Sequence, residues 1–278
     1  MYISCLLINV GDNPDRPRPR RTWLRNLYQV HQRLCMAFPS DPKRDPYFLK
    51  PFNPENSDAK RVHGVERSAD SGFLFRIEPQ PGGRVVIVVQ SAIEPNWHYA
   101  FQNAGHLLRN PLAAPPHVEE FDPCYSKDQQ LRFRIRVNLS KKIKASANGT
   151  NLTKAGDGAD RFGRPKTQSK RVALTWDKEQ DPEEVIREWF SRKGIDHGFK
   201  VQLLRALQVG WGTGVDPDCK EADHKSGSGD GRMKFRSAML EGTLTVEDAN
   251  RFREVIINGI GSGKAFGFGL LSVAPLSL

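Results

Sequence analysis

The chain is short of paired cysteines. Four are present in 278 residues, Cys5, Cys35, Cys124 and Cys219, and no two make a C-x-x-C pair. That scatter points away from a zinc ribbon and a disulfide framework, and leaves reduced thiols packed as small apolar groups. Histidine is equally scattered: the seven make no H-x-x-x-H or H-E-x-x-H. No protein-bound metal and no cofactor is expected, so any hydrolytic chemistry runs without one. Long apolar runs are missing too. The first, "YISCLLINV", is too short to span a bilayer and has no basic segment before it. It reads as a buried strand of a soluble, cytoplasmic protein with no membrane partner.

One region lacks acids. Between residues 132 and 171 twelve Lys and Arg stand against two acids, Asp157 and Asp160. The excess of ten equals the formal net charge of the whole chain, +10, so the remainder is nearly balanced. A local excess of this kind is either a solvated loop or the mark of an anionic partner such as nucleic acid. The apolar share, 38%, and the charged share, 27%, suit a folded chain, and 278 residues accommodate two ordinary domains.

Periodicity supplies the elements. Residues 2–9 read as a strand and 22–38 as a helix capped by Thr22 and stopped by Pro39. Trp23, Leu27, Val30, Leu34 and Phe38 form its core stripe, Tyr28 points away from it, and His31 lies at its border. Segment 40–70 is an irregular connection. "GFLFRIEP" and "GRVVIVVQS" are strands joined by "QPGG", followed by a helix near 99–108 and a weak strand near 117–122. The second half opens with "LRFRIRVNL". Leu131, Phe133, Ile135 and Val137 share one face, and Arg132, Arg134 and Arg136 the other. A long basic loop is expected at 140–171. "DPEEVIREWFSRKG" is a helix with Asp181 as cap, Pro182 at its first position and Gly194 at its end. Two strands around a polar loop at 210–231, a helix ending at Gly259 and a last strand "FGFGLLSVAPL" complete the order. Both halves read β-α-β-β-α-β. The expected class is α+β: two tandem ferredoxin-like domains, similar to RNA-recognition motifs, over 1–125 and 126–278.

"GIGSGKAFGFGLLS" carries glycines at 259, 261, 263, 267 and 269. It is not a Walker A loop. It leads from a helix into a strand, the reverse of the Rossmann order. It is either a tight turn or a loop whose backbone N–H groups approach a phosphate, with Lys264 beside it.

The start "MYIS", the helix "LYQVHQRL" with "FP" after it, "LRFRIRVNLSKKIK", "KRVALT" and "GIGSGKAFGFGLLSVAPL" lie in the same order as in a known family. By these pieces the chain resembles the CRISPR RNA-processing endoribonuclease of the type I-E Cascade complex, the CasE (Cse3) family. The resemblance implies binding of the repeat hairpin in precursor CRISPR RNA and one metal-independent cut at the 3′ base of its stem. It implies that the enzyme stays on the mature guide RNA with other Cascade subunits as partners. The family's catalytic histidine falls on His31, its assisting tyrosine on Tyr28, and its glycine-rich segment on 259–269. The Arg/Pro loop at 10–21 and the segment 40–70 look longer than the family's usual connections.

Histidine suits proton transfer because its ordinary pKa lies near 6.5. RNA brings its own nucleophile, the 2′-hydroxyl. For recognition, A-form RNA is read through phosphates, 2′-hydroxyls and shape. The candidate contacts are Arg33, Arg132, Arg134, Arg136, Lys141, Lys142, Lys144, Arg161, Arg164, Lys170, Arg171, Arg232, Lys234, Arg236 and Lys264. Rival readings are an RNA-holding module of the same fold without catalysis, a duplex-DNA-binding protein, and a nucleotide-dependent enzyme. The second lacks a helix with a dense basic face, and the glycine-loop context counts against the third.

Overall fold

The computed structural model describes residues 1–10, 23–38, 72–102, 111–144, 169–212 and 235–276. The first half contributes β1 (Tyr2–Asn9), α1 (Leu27–Cys35), β2 (Phe73–Gln80), β3 (Arg84–Ser91), α2 (Trp97–Gln102) and β4 (His117–Glu120). The strands form one sheet in the order β2-β3-β1-β4. Each pairing in it is antiparallel. Strand alternation puts Leu6 and Ile8 of β1, Phe75 and Ile77 of β2 and Ile87 and Val89 of β3 on one face. Leu27, Val30 and Leu34 of α1 and Trp97 and Ala100 of α2 cover that face and close the core.

The second half contributes β5 (Gln130–Asn138), β6 (Ser140–Lys144), β7 (Ser169–Ala173), α3 (Pro182–Asp196), β8 (Phe199–Ala206), β9 (Gly210–Gly212), β10 (Phe235–Val246), α4 (Ala249–Asn258) and β11 (Leu271–Pro275). Its main sheet runs β11-β5-β10-β8, with β9 paired to β10. These pairings are antiparallel as well. Leu131, Phe133, Ile135 and Val137 turn inward, as their alternation predicts. They meet Ile186, Trp189 and Phe190 of α3 and Phe252, Val255 and Ile256 of α4.

Several boundaries differ from the sequence reading. The first helix is interrupted at Asn26, whose non-helical backbone (φ −94°, ψ 87°) restarts it; its side chain accepts from Gln29 N. The polar cap won over the apolar periodicity that ran straight through it. Gly194 does not end α3. The helix continues to Asp196, and a Cβ on Gly194 would stand 2.5 Å from the Phe199 carbonyl oxygen. That glycine lets β8 approach the helix. Asp181 and Pro182 do open α3 as read, with Asp181 Oδ1 accepting from Glu183 N at 3.0 Å. The basic stretch 140–171 is not wholly a loop, because 140–144 and 169–173 pair as antiparallel strands. The last strand is limited to Leu271–Pro275; Lys264–Phe266 form a 3-10 turn instead. Thr22, Pro39, the segment 40–70, most of the Arg/Pro loop and residues 145–168 lie outside the described residues.

The two sheets are fastened to each other by β2 and β3. Arg76, 3% exposed, donates from Nη1 to the carbonyls of Arg134 (3.1 Å) and Leu270 (3.0 Å) and to Ser272 Oγ (3.0 Å). Its Nε is paired with Glu78 at 2.6 Å. Gln90 Nε2 donates to the Ile256 carbonyl at the end of α4 (2.6 Å). Among the described residues no helix is long and apolar enough to cross a membrane.

Candidate active site

Helix α1 buries Leu27, Val30, Leu34 and Cys35, and this fixes the direction of its other side chains. Tyr28 and His31, three residues apart, are neighbours on the helix surface. Tyr28 is half exposed, and its ring lies 6.5 Å from that of Phe266, on the 3-10 turn. The imidazole of His31 is half-buried. It stacks on Phe73 at 5.2 Å with an interplanar angle of 23°, and Phe73 stacks in turn on Phe38 at 4.9 Å. His31 Nε2 is 3.5 Å from Cys35 Sγ, one turn further along the helix. The ring therefore lies against the edge of the core, beside the exposed tyrosine. Arg33 ties α1 to α2: Nη1 donates to the Ala100 carbonyl (3.1 Å) and to Met36 Sδ (3.3 Å). Burial lowers its pKa.

The glycine stretch comes from the other half of the chain and closes over α1 and β2. Gly259, Gly261, Gly263, Gly267 and Gly269 all have positive φ, from 71° to 90°. At all of them but Gly261 a Cβ would also be crowded, by 2.5 to 3.0 Å contacts. A Cβ on Gly267 would meet the Phe75 ring at 3.0 Å, and one on Gly269 would meet the Ile260 carbonyl oxygen at 2.5 Å. Gly263 and Gly267, both left-handed, bracket the 3-10 turn that carries Lys264 and Phe266. Phe266 packs on Phe235 at 4.8 Å. Lys264 is half-buried, and desolvation lowers its pKa from the ordinary 10.5.

The basic residues divide by environment. Arg132 is exposed. Arg134 is held between two acids, with Nε 2.8 Å from Glu241 and Nη1 3.3 Å from Glu78. The Arg136 guanidinium stands 5.3 Å above the Phe268 ring, and burial lowers its pKa to about 10. Lys141, Lys142 and Arg171 are exposed on the β6–β7 pair, where Lys142 faces Arg171 and Ile143 faces Lys170 in register. Lys144 sits at the end of the same pair, opposite Ser169. Arg236 lies over the Trp176 ring at 3.3 Å and donates to the Leu174 carbonyl. Burial lowers its pKa as well. Arg161, Arg164, Arg232 and Lys234 lie outside the described residues.

Sequence reading passed over four side chains of the site: Cys35, Phe73, Ser262 and Phe266. Cys35 sits four residues after His31, a spacing that places two side chains on one helix face. Phe266 was flagged only by the glycines around it. Phe73 carried no signal beyond strand alternation.

These features define a mixed α+β protein. A tyrosine–histidine helix meets a glycine-rich turn, and Ser262 next to that turn is hydrogen-bonded to Ser140 at the root of a cationic strand pair. The chain belongs to the CRISPR associated protein family, whose model matches residues 1–275. It is 29% identical over 281 residues to the CRISPR-associated endoribonuclease Cse3 of Thermus thermophilus, covering 99% of this chain and 100% of that one. It is 26% identical over 278 residues to the CRISPR system Cascade subunit CasE of Escherichia coli, with the same coverage. Among solved structures, Thermus thermophilus Cse3 bound to an RNA representing a pre-cleavage complex superposes with a TM-score of 0.58. It is 25% identical, covering 99% of this chain and 98% of that one. The resemblance to the CasE (Cse3) family is borne out along the whole chain.

Proposed function

We propose that this chain is an endoribonuclease that matures CRISPR RNA. It binds the repeat hairpin of the precursor, cuts once at the 3′ base of the stem and remains on the guide RNA as a Cascade subunit. The observation that carries this reading is the placement of Tyr28 and His31 on α1, against the glycine-rich turn, in a chain collinear with Cse3 over 99% of its length. Two tandem ferredoxin-like units, 1–125 and 126–278, frame the site. Strand orders β2-β3-β1-β4 and β11-β5-β10-β8 support that division, since each is the 4-1-3-2 order of a β-α-β-β-α-β unit.

The chemistry needs no metal. The ribose 2′-hydroxyl attacks the adjacent phosphorus and gives up its proton as the bond from phosphorus to the 5′-oxygen breaks. That oxygen takes a proton and leaves as a 5′-hydroxyl; the other fragment keeps a 2′,3′-cyclic phosphate. His31 serves one of the two proton transfers, worth about 10² to 10⁴ in rate. Tyr28 hydrogen-bonds the 2′-hydroxyl or a phosphate oxygen. Arg132, Lys141, Lys142, Arg171 and Lys264 are assigned in this reading to the phosphate backbone, contacts that position the RNA without specifying it.

One observation favours a second reading, an RNA-holding subunit of the same fold without catalysis. His31 Nε2 faces the buried Cys35 thiol, a contact that a packed, structural histidine also makes. One experiment separates the two. A labelled repeat hairpin is incubated with wild type and with His31→Ala, in EDTA. Single cutting to a cyclic phosphate by wild type alone, with the hairpin still bound by the variant, establishes the nuclease. Binding without cutting by wild type establishes the holding subunit.

A further inference from the structure

The glycine-rich loop is closed at its base by backbone bonds: Ile260 N donates to Gly269 O at 2.9 Å, and Gly269 N to Arg136 O at 2.8 Å. Between that base and the 3-10 turn the chain reads Gly261-Ser262-Gly263. Both glycines have φ of 81°. A glycine pair with left-handed freedom cannot hold a loop in one position, so Ser262 is the one side chain there to do it. Its hydroxyl makes two contacts. Asn138 Nδ2 donates to Ser262 Oγ at 3.2 Å, and Ser140 Oγ shares a hydrogen bond with it at 3.0 Å.

Those two partners straddle the point where the chain leaves the main sheet for the basic strand pair. Leu139 between them is fully buried and bonded on both sides, its N to Arg236 O (2.7 Å) and its O to Leu174 N (2.9 Å). The Ser140 carbonyl is fixed by Trp189 Nε1 at 3.1 Å. The root of the cationic hairpin is thus rigid, and Ser262 is hydrogen-bonded directly to it. On the loop's far side Phe266 faces Tyr28.

We propose that Ser262, with Asn138 and Ser140, is a positioning cluster that sets the glycine-rich turn, and with it Lys264 and Phe266, in register with the RNA-gripping hairpin. The proposal rests on the nuclease reading above. In this proposal Ser262 acts through the loop it holds, since its hydroxyl is engaged by Asn138 and Ser140. A misplaced reacting group lowers the chemical step and leaves ground-state binding largely intact. Ser262→Thr keeps the hydroxyl, and Ser262→Ala removes it.

Three measurements test it on the full chain. In single-turnover cutting at saturating enzyme, Ser262→Ala and Asn138→Ala each slow cleavage by about tenfold or more. Hairpin Kd stays within about twofold, and Ser262→Thr recovers most of the rate. The double variant is no slower than the slower single one, because the two side chains make one contact. In amide hydrogen exchange without RNA, Gly263 to Gly267 exchange faster in Ser262→Ala, while the core strands do not change. Unchanged cleavage in Ser262→Ala overturns the proposal, and so does a loss of binding that matches the loss of cutting. Unchanged exchange overturns it whatever the activity. Should wild type bind the hairpin without cutting it, the nuclease reading fails separately, and the exchange measurement still decides the role of Ser262.

Discussion

The ring of Tyr28 stands 6.5 Å from the ring of Phe266, so a side chain of the first described long helix meets one from the turn before the last strand. The contact holds the tyrosine by its ring, and the residue is half exposed. Tyr28→Phe therefore keeps the packing and loses only the hydroxyl. Single-turnover cleavage of the repeat hairpin is expected to fall by about 10². Hairpin affinity and melting temperature remain at wild-type values. A rate within twofold of wild type removes Tyr28 from the chemistry.

Salt dependence sorts the cations. Lys141 and Lys142 are exposed on the basic strand pair, whereas Arg134 is occupied by Glu78 and Glu241. Replacing Lys141 or Lys142 by Ala should lower the slope of log affinity against log salt by about 0.7 to 0.9 each. Arg134→Ala should leave that slope unchanged, since its charge is already answered by carboxylates. Titrations at several salt concentrations decide between these outcomes.

Lys264 predicts an alkaline effect. Burial lowers its folded pKa below 10.5, so the fold disfavours its charged form. The sign follows: the cost to stability is present below the folded pKa and is relieved as pH rises through it. A phosphate beside Lys264 favours the charged form and pulls the pKa back up. Hairpin binding should therefore take up protons at alkaline pH, and affinity should fall as pH rises, beginning below 10.5. Lys264→Arg should flatten that fall and keep affinity at neutral pH. A substrate with a 2′-deoxy sugar at the cut keeps the measurement free of cleavage.

The loop glycines should not be equivalent. A Cβ at Gly269 meets a backbone oxygen at 2.5 Å, whereas at Gly261 nothing lies within 4 Å. Gly261→Ala is expected to cost the backbone strain alone, about 1–2 kcal/mol. Gly269→Ala adds a collision with main chain and should cost clearly more. Denaturant melts of the two variants provide the comparison.

Arg76 joins the sheets while almost fully buried. Removing it leaves Glu78 with less compensation and strips donors from two carbonyls. Arg76→Ala should destabilise the chain by about 3–5 kcal/mol in urea unfolding. Arg76→Lys should recover only part of that, because an ammonium cannot reproduce the planar fork.

What was legible in the sequence followed from strict patterns. The alternation of Leu131 to Val137 gave its inner face correctly, and the Asp181-Pro182 start of α3 was visible in the residues. Tyr28 and His31 became candidates through resemblance, not through helix periodicity. What stayed hidden depended on contacts between distant segments. Gly194 looked like a stop signal because its demand comes from Phe199, packed against it. The β6–β7 strands were hidden because the pairing partner is separated by a long stretch without apolar alternation. The meeting of α1 with the glycine turn has no local signature, since the two are more than two hundred residues apart.

That separation has a consequence for synthesis. A chain that has left the ribosome as far as Ile256 already carries Tyr28, His31 and every strand of the first sheet. It lacks the turn opposite and the strand β11 that completes the second sheet. The meeting of Tyr28 with Phe266 therefore arrives as a late event in the birth of the molecule, after its cationic strands have already emerged.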